Sequence, residues 1–271
     1  MANLKYTNHL NQSIEFFGTN YFVNSYKMRD YAWKYDTDFN KLKKFNRVGI
    51  NSRKLTISVL ANNSQTALDL YNSLYETFEL DVLAQSPGKF YIGDYYFVGF
   101  VSESAKTDFS SAQNLLTLEL TIVSDTNAWV KETTYNFSKN QLISGHGYVY
   151  GYPYNYASGT TKNLINESLY DSNFKITIYG GASDPAVYLG GHLYSVETDI
   201  EPNECMIIDS KNKTVQKIQA DGTAVSVLEC RDRDNYIFQK IPSGTVTVNW
   251  DNNFGFDVTI FDERSEPKWA V

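Results

Sequence analysis

The sequence predicts a mainly-β protein built as two β-sandwich-type domains, the first of them carrying one packed amphipathic helix. Three observations lead there. Tyr, Phe and Trp number 21, 16 and 4, or 15% of 271 residues, and aromatic side chains favour pleated, half-buried surfaces. Short apolar runs recur with Gly, Asn and Asp turns between them. Only one stretch has the three- and four-residue apolar spacing of a helix. The length suits one large domain or two medium ones, with enough chain to bury a core without disulfides.

In the first half, Ile14–Phe17, Tyr21–Val23 and Lys54–Val59 read as strands. Between Lys27 and Lys54 stand nine Lys/Arg against Asp30, Asp36 and Asp38. This basic stretch is either a solvated hairpin or a patch that meets an acidic neighbour. Ser64 is the expected N-cap of the helix, whose face is Ala67, Leu70, Tyr71, Leu74, Tyr75 and Phe78, ending near Leu80-Asp81. Turns at Ser86-Pro87-Gly88 and Gly93-Asp94 bracket strands at Lys89–Ile92 and Tyr95–Val101. The run Leu115–Val123 alternates Leu116, Leu118, Leu120 and Ile122 with polar residues, and Trp129 comes soon after.

Beyond Trp129 the composition shifts: the first 130 residues carry 13 acids and 12 bases, the remaining 141 carry 18 and 12. The junction is expected between about 130 and 160, giving domains 1–135 and 136–271. Within it Tyr148, Tyr150, Tyr152, Tyr154 and Tyr156 fall at period two, so an extended chain points all five rings to one side. They are either a face packed on a neighbouring domain or subunit, or an aromatic platform on which sugar rings stack. The second half then reads as strands at Lys175–Tyr179, Ala186–Leu189, Met206–Asp209, Thr214–Ile218, Val225–Leu228, Ile237–Phe238, Thr245–Trp250 and Phe254–Phe261. Gly180-Gly181 and Gly190-Gly191 are turns between strands. That spacing suits a sandwich.

Several kinds of chemistry are missing. A net charge of -7 argues against nucleic-acid binding. His9, His146 and His192 are scattered without metal-ligand spacing, and no nucleophile elbow, phosphate loop or dinucleotide fingerprint occurs. No metal or cofactor is expected. Cys205 and Cys230, in strand-like sequence, read as two apolar fillers kept reduced. Glu201/Glu204 and Asp262/Glu263/Glu266 are the densest acid clusters, the only basis for a glycosidase. Met1–Leu10 has no apolar core and no run reaches 18 apolar residues, so a protein made in a cytosol, neither exported nor membrane-bound, is expected.

The ordered set of motifs resembles the distal tail proteins of long-tailed phages of Gram-positive bacteria. It comprises the helix from Ser64, Phe78-Glu79-Leu80-Asp81-Val82, Ser86-Pro87-Gly88-Lys89, Gly93-Asp94-Tyr95-Tyr96 and Ser124-Asp125 with Trp129. It continues through the Tyr-rich connector, Phe174–Gly180 with Asp184-Pro185, Gly191-His192-Leu193-Tyr194 and Ile208-Asp209-Ser210 with Lys213-Thr214-Val215. Arg231-Asp232-Arg233, Ile237–Gly244 and Asp262–Trp269 complete it. The resemblance implies a structural virion protein at the tail tip, assembled in the host bacterial cytoplasm. Its N-terminal domain would form a homohexameric ring, and its C-terminal domain would be a galectin-like or carbohydrate-module-like sandwich projecting outward. The implied partners are the tail tube protein, a tail-associated fibre or lysin protein, and receptor-binding or baseplate proteins. The competing expectation is a monomeric glycan-binding β-sandwich module that recognises cell-wall carbohydrate.

Overall fold

The computed structural model describes residues 4–39, 41–47, 51–139 and 162–269. It is mainly β, and it divides into two compact units: Met1–Lys131 with Glu263–Val271, and Glu132–Asp262. The last nine residues therefore belong with the first unit, whereas the composition shift places all of 136–271 in the second. Within that segment the Pro267 carbonyl accepts from Arg29 of the first unit.

Unit 1 opens with β1 (Leu4–Thr7), β2 (Ser13–Glu15), β3 (Tyr21–Tyr26), β4 (Trp33–Asp38), β5 (Lys41–Arg47) and β6 (Asn51–Leu60). Helix α1 (Ser64–Leu83) comes next, then β7 (Gly88–Ile92), β8 (Tyr95–Ser110), β9 (Leu115–Ser124) and the start of β10 (Trp129–Phe137). Among the described residues the strand pairings of this unit are antiparallel. One sheet runs β10-β8-β7-β1-β2, and a second links β3, β6, β9 and β8. The 16-residue β8 serves both: Tyr95–Gly99 pair with β7 and Phe100–Ser110 with β9. Two register irregularities, between Val101 and Glu103 and between Lys106 and Asp108, give it the bend this requires. Inward side chains of β9 (Leu116, Leu118, Leu120, Ile122) meet those of β6 (Leu55, Ile57, Val59) in the core, on the alternation the sequence shows.

Asn63, not Ser64, caps α1: its Oδ1 accepts from the Thr66 N–H at 2.8 Å. Both residues are good cappers, and the one whose backbone is extended takes the role. The helix buries Ala67, Leu74 and Phe78, and continues past Asp81 to Leu83. Asp81 itself is fully buried. Tyr6 Oη on β1 donates a short hydrogen bond to Asp81 Oδ2. The His9 N–H donates to Oδ1 at 2.9 Å, and His9 Nδ1 lies 2.5 Å from the same oxygen. Burial, and then the Asp81 bond, push ionisation of the Tyr6 phenol far above its ordinary range. Gly88 closes over this node: a Cβ there would sit 2.4 Å from Tyr6 Oη and 2.5 Å from Asp81 Oδ2.

Unit 2 contains the rest of β10, then β11 (Lys162–Asn166), β12 (Asn173–Tyr179), β13 (Ala182–Ser183), β14 (Ala186–Leu189), β15 (His192–Ser195) and β16 (Asp199–Ile200). It continues with β17 (Cys205–Asp209), β18 (Thr214–Ile218), β19 (Ala224–Ser226), β20 (Gly244–Trp250) and β21 (Phe256–Arg264). One sheet runs β19-β18-β17-β12-β21, the other β11-β20-β14-β15, and β13 pairs with β16. Ile176, Ile208, Val215 and Val258 from the first sheet pack with Leu164, Val187, Leu189 and Val248 from the second. This is a sandwich core. Two expected strands differ. Val225–Leu228 stops at Ser226 and passes into a 3₁₀ turn at Leu228–Cys230. Ile237–Phe238 is a turn that still plugs the core, with both side chains buried.

Short acids build the connecting turns. Asp209 Oδ1 accepts from the Lys211 and Asn212 N–H groups at 2.8 and 2.9 Å, and buried Ser210 Oγ accepts from Phe174 N at 2.7 Å. Asp232 accepts from the Asn235 side chain at 2.7 Å and from Asp234 N at 2.8 Å, bonds that hold its carboxyl below the usual range. The double-glycine turn between β14 and β15 has φ of +60° at Gly190 and +83° at Gly191, a region closed to most L residues.

The node around Asp81 makes a testable coupling. Asp81→Ala strands the Tyr6 hydroxyl and His9 amide and is expected to cost about 2–4 kcal/mol in urea unfolding. Gly88→Ala is expected to cost about 1–3 kcal/mol by overpacking. Because the clash is with Asp81 and Tyr6 themselves, Gly88→Ala in the Asp81→Ala background should cost measurably less. Simple additivity of the two losses would place the clash elsewhere.

Candidate assembly surface

The residues that matter most around the basic stretch are two that leave the surface. Of the nine cations between Lys27 and Lys54, Arg29 and Arg53 are 7% and 2% exposed, so the stretch is not uniformly solvated. Arg53 on β6 donates from Nη1 to the Met28 carbonyl in a short bond and from Nη2 to Asn127 Oδ1 at 2.9 Å. Its guanidinium lies 4.6 Å from the centroid of Phe97 and 5.8 Å from that of Trp129. Burial pulls the Arg53 guanidinium down to about 10, with Asp30 acting in the opposite sense, so it stays charged at neutral pH.

Arg29, next to Met28, is held from the other side. Its Nη1 donates to the Pro267 carbonyl at 2.8 Å, lies 3.7 Å from Glu266 Oε1, and its guanidinium stacks 3.9 Å from the Trp269 ring. Met28 and Arg29 are thus fixed by β6 and by the C-terminal segment. They form a fixed root for the next segment of chain.

That segment is an antiparallel hairpin, β4–β5, whose strand residues on β4 are all exposed. Its register sorts its side chains by face. Trp33, Tyr35 and Thr37 share one face with Phe45 and Leu42 opposite the last two, and the Tyr35 and Phe45 rings lie 6.2 Å apart. The other face carries Lys34, Asp36 and Lys44, and Lys43 pairs with Asp38 at 3.9 Å. The ribbon is amphipathic, and its apolar face is open to solvent: Tyr35 is 60% and Leu42 62% exposed. Phe39, at the end of β4, is 96% exposed. Exposed aromatic area of this kind marks an interaction surface.

A second apolar surface lies along α1. Tyr71, Leu74, Tyr75, Phe78 and Val82 of the helix face Val101 of β8 and Leu116 and Leu118 of β9 across a groove of about 290 Å³. Glu79, Glu103 and Lys106 stand on its rim. Tyr71 Oη is buried and has no hydrogen-bond partner among the described residues, and burial raises its ionisation.

The five tyrosines at 148, 150, 152, 154 and 156 lie outside the described residues. The acid clusters are engaged: Glu204 Oε2 accepts from the Glu201 N–H at 3.0 Å and lies 3.3 Å from Lys217 Nζ, while Glu266 faces Arg29. Cys205 and Cys230 are free thiols, each partly buried. Among the described residues no group of three or more His, Cys, Asp or Glu could hold a metal ion, and no helix is long and apolar enough to cross a membrane. Sequence reasoning missed the buried roles of Arg53 and Asp81, although their spacing carries a signal: Arg53 shares the parity of Leu55, Ile57 and Val59, and Asp81 continues the Leu74–Phe78 stripe.

No protein-family model and no curated protein matches the sequence. Solved structures do. A chain of the phage P2 baseplate in its activated conformation with Ca superposes with a TM-score of 0.63 at 10% identity, over 98% of this chain and 100% of that one. The corresponding structure with Sr gives 0.63 at 12%, over 98% and 100%. The SPP1 Dit protein, described as a paradigm of the hub adsorption apparatus in phages infecting Gram-positive bacteria, gives 0.59 at 9%, over 96% and 99%. At these identities the likeness is one of fold. The chain has, end to end, the mainly-β fold of phage baseplate and hub proteins.

The root geometry predicts the effect of losing Arg53. Arg53→Leu removes the bonds to the Met28 carbonyl and the Asn127 amide oxygen and should destabilise unit 1 by about 2–4 kcal/mol. Tryptic cleavage within Lys34–Lys44 should speed up in parallel. Unchanged cleavage in a destabilised variant would separate the root from the arm.

Proposed function

We propose that this chain is a structural virion protein, the distal tail hub of a long-tailed phage, and that six copies close into a ring joining the tail tube to the tail-tip adsorption apparatus. The observation that carries the proposal is the fold likeness to baseplate and hub chains across both full lengths. A ring needs heterologous contacts, in which one patch of each subunit meets a different patch of the next and the rotation closes. The amphipathic β4–β5 arm on its fixed root supplies one such patch.

In this reading residues 1–135, with the segment from Glu263 onward, form the ring, and the rest of 136–271 forms the outward, galectin-like sandwich. The partners are the tail tube protein on one side, and on the other a tail-associated fibre or lysin protein with receptor-binding or baseplate proteins. Assembly takes place in the cytoplasm of the host bacterium, and the mature location is the tail tip. The role is a scaffold's and requires no catalysis, cofactor or nucleic-acid contact. The competing glycan-binding reading rests on Tyr148–Tyr156, which the described residues do not include.

Native mass spectrometry with negative-stain imaging tests the proposal. Six copies of a 30.9 kDa chain should appear at roughly 185 kDa as a ring with a central channel. A protein that stays monomeric at every concentration, and that captures cell-wall carbohydrate, would overturn it in favour of the glycan-binding module.

A further inference from the structure

We infer that the segment from Glu263 to Trp269 is a strap through which the folding of unit 2 holds the root of the β4–β5 arm. The strap works within one copy of the chain, whether or not copies assemble. It belongs to unit 1, yet the chain reaches it only by way of β21, the last strand of unit 2. From Ser265 onward it is part of no strand or helix. Side-chain contacts hold it there, and Arg29 makes three of them: the bond to the Pro267 carbonyl at 2.8 Å, the approach to Glu266 at 3.7 Å and the stack on Trp269 at 3.9 Å.

What keeps the strap in reach of Arg29 is the sheet of unit 2. The chain enters that unit on β10 and leaves it on β21, and these two strands are neighbours, with β12 on the far side of β21. Thr134 Oγ1 lies 2.9 Å from Thr259 Oγ1, and Asn136 Nδ2 donates to Asp257 Oδ1 at 2.7 Å, both across the β10–β21 step. Entry and exit are thus zipped side by side. With β21 in place, only six residues of chain lead from its rung at Phe261 to Pro267. With unit 2 open, the same carbonyl hangs on the 131 residues from Glu132 to Asp262. Effective concentration falls roughly as the −3/2 power of tether length, so the drive to occupy Arg29 drops about a hundredfold.

Losing the strap is costly at one place. Arg29 is 7% exposed, and a buried guanidinium without its acceptor turns outward to water. The residue before it, Met28, is fully buried and lends its carbonyl to Arg53, and the Asp30 N–H closes a turn onto the Lys27 carbonyl at 3.2 Å. Movement of Arg29 therefore loosens 27–32, the stretch from which the arm departs. The root is firm while β21 is paired and slackens when unit 2 opens, a local opening in one unit set by the stability of the other.

Hydrogen exchange of the full chain, read by mass spectrometry across a urea series, tests the strap. Residues 90–97 report on the core of unit 1, 174–178 on that of unit 2, and 27–32 on the root. Ile176, fully buried in the second core, is replaced by Ala, or by Val if the alanine chain does not fold. The urea midpoint of 174–178 should fall, that of 27–32 should fall with it by the same amount, and that of 90–97 should hold. Arg29→Met keeps an apolar stem of similar length but removes the clamp. In that background the root should open at lower urea, and Ile176→Ala should no longer move it. A root that keeps its wild-type midpoint in Ile176→Ala overturns the inference. So does a fall shared by 90–97, or a root that still follows unit 2 in Arg29→Met, because the coupling then runs by another route.

Discussion

A cation buried among aromatic rings constrains most of the first unit. Among the described residues Arg53 has no carboxylate in hydrogen-bond contact and its buried Nε has no partner; its charge is met by a backbone carbonyl, an amide oxygen and the faces of Phe97 and Trp129. Moving a guanidinium out of water is expensive unless its donors are satisfied, and ring faces contribute about 0.5–2 kcal/mol each when desolvated. The arrangement holds only if β6, β8, β10 and the segments at Met28 and Asn127 sit where they do. Because Met28 adjoins Arg29, the same cation also fixes where the β4–β5 arm leaves the body. The arm is thus exposed without being loosely attached.

A second polar point, the Asp81 carboxylate, does the same for the opposite part of the unit. It ties the last turn of α1 to Tyr6 and His9 and leaves room only for a glycine at 88. Unit 2 has a polar anchor of its own kind, uncharged: buried Asn166 donates to the Ile241 carbonyl at 3.0 Å and accepts from Ser168 N and Ser172 Oγ at 3.1 Å. Around its apolar core, Asp209, Asp221 and Asp232 each close a short turn.

Period-two alternation made β9 legible from Leu116 to Ile122, and helical spacing made α1 legible from Ala67 to Phe78. Both signals are local, and burial tracks them. The same periodicities also place Arg53 and Asp81 inward, but a charged residue at an inward position reads as an interruption until its partners are known, and those partners come from far along the chain. The arm shows the other limit. Trp33 and Tyr35 alternate with Lys34 and Asp36, which specifies an amphipathic ribbon; which way its apolar face turns depends on what surrounds it. Fold class, helix and turn motifs were therefore readable, while anchors and assembly surfaces required the tertiary structure.

The hold of Arg29 on the C-terminal segment sets an order in time. Pro267, whose carbonyl Arg29 reaches, lies 238 residues further along the chain, and all of unit 2 is encoded between them. At roughly 5–20 residues per second, that interval lasts about 12 to 50 s of synthesis. During that interval Arg29 lacks its carbonyl acceptor, its acidic neighbour and the indole it stacks on. Until Pro267 and Trp269 have been synthesised, the arm's root is fixed on one side only. The arm therefore takes its finished root only after all of unit 2 has been made.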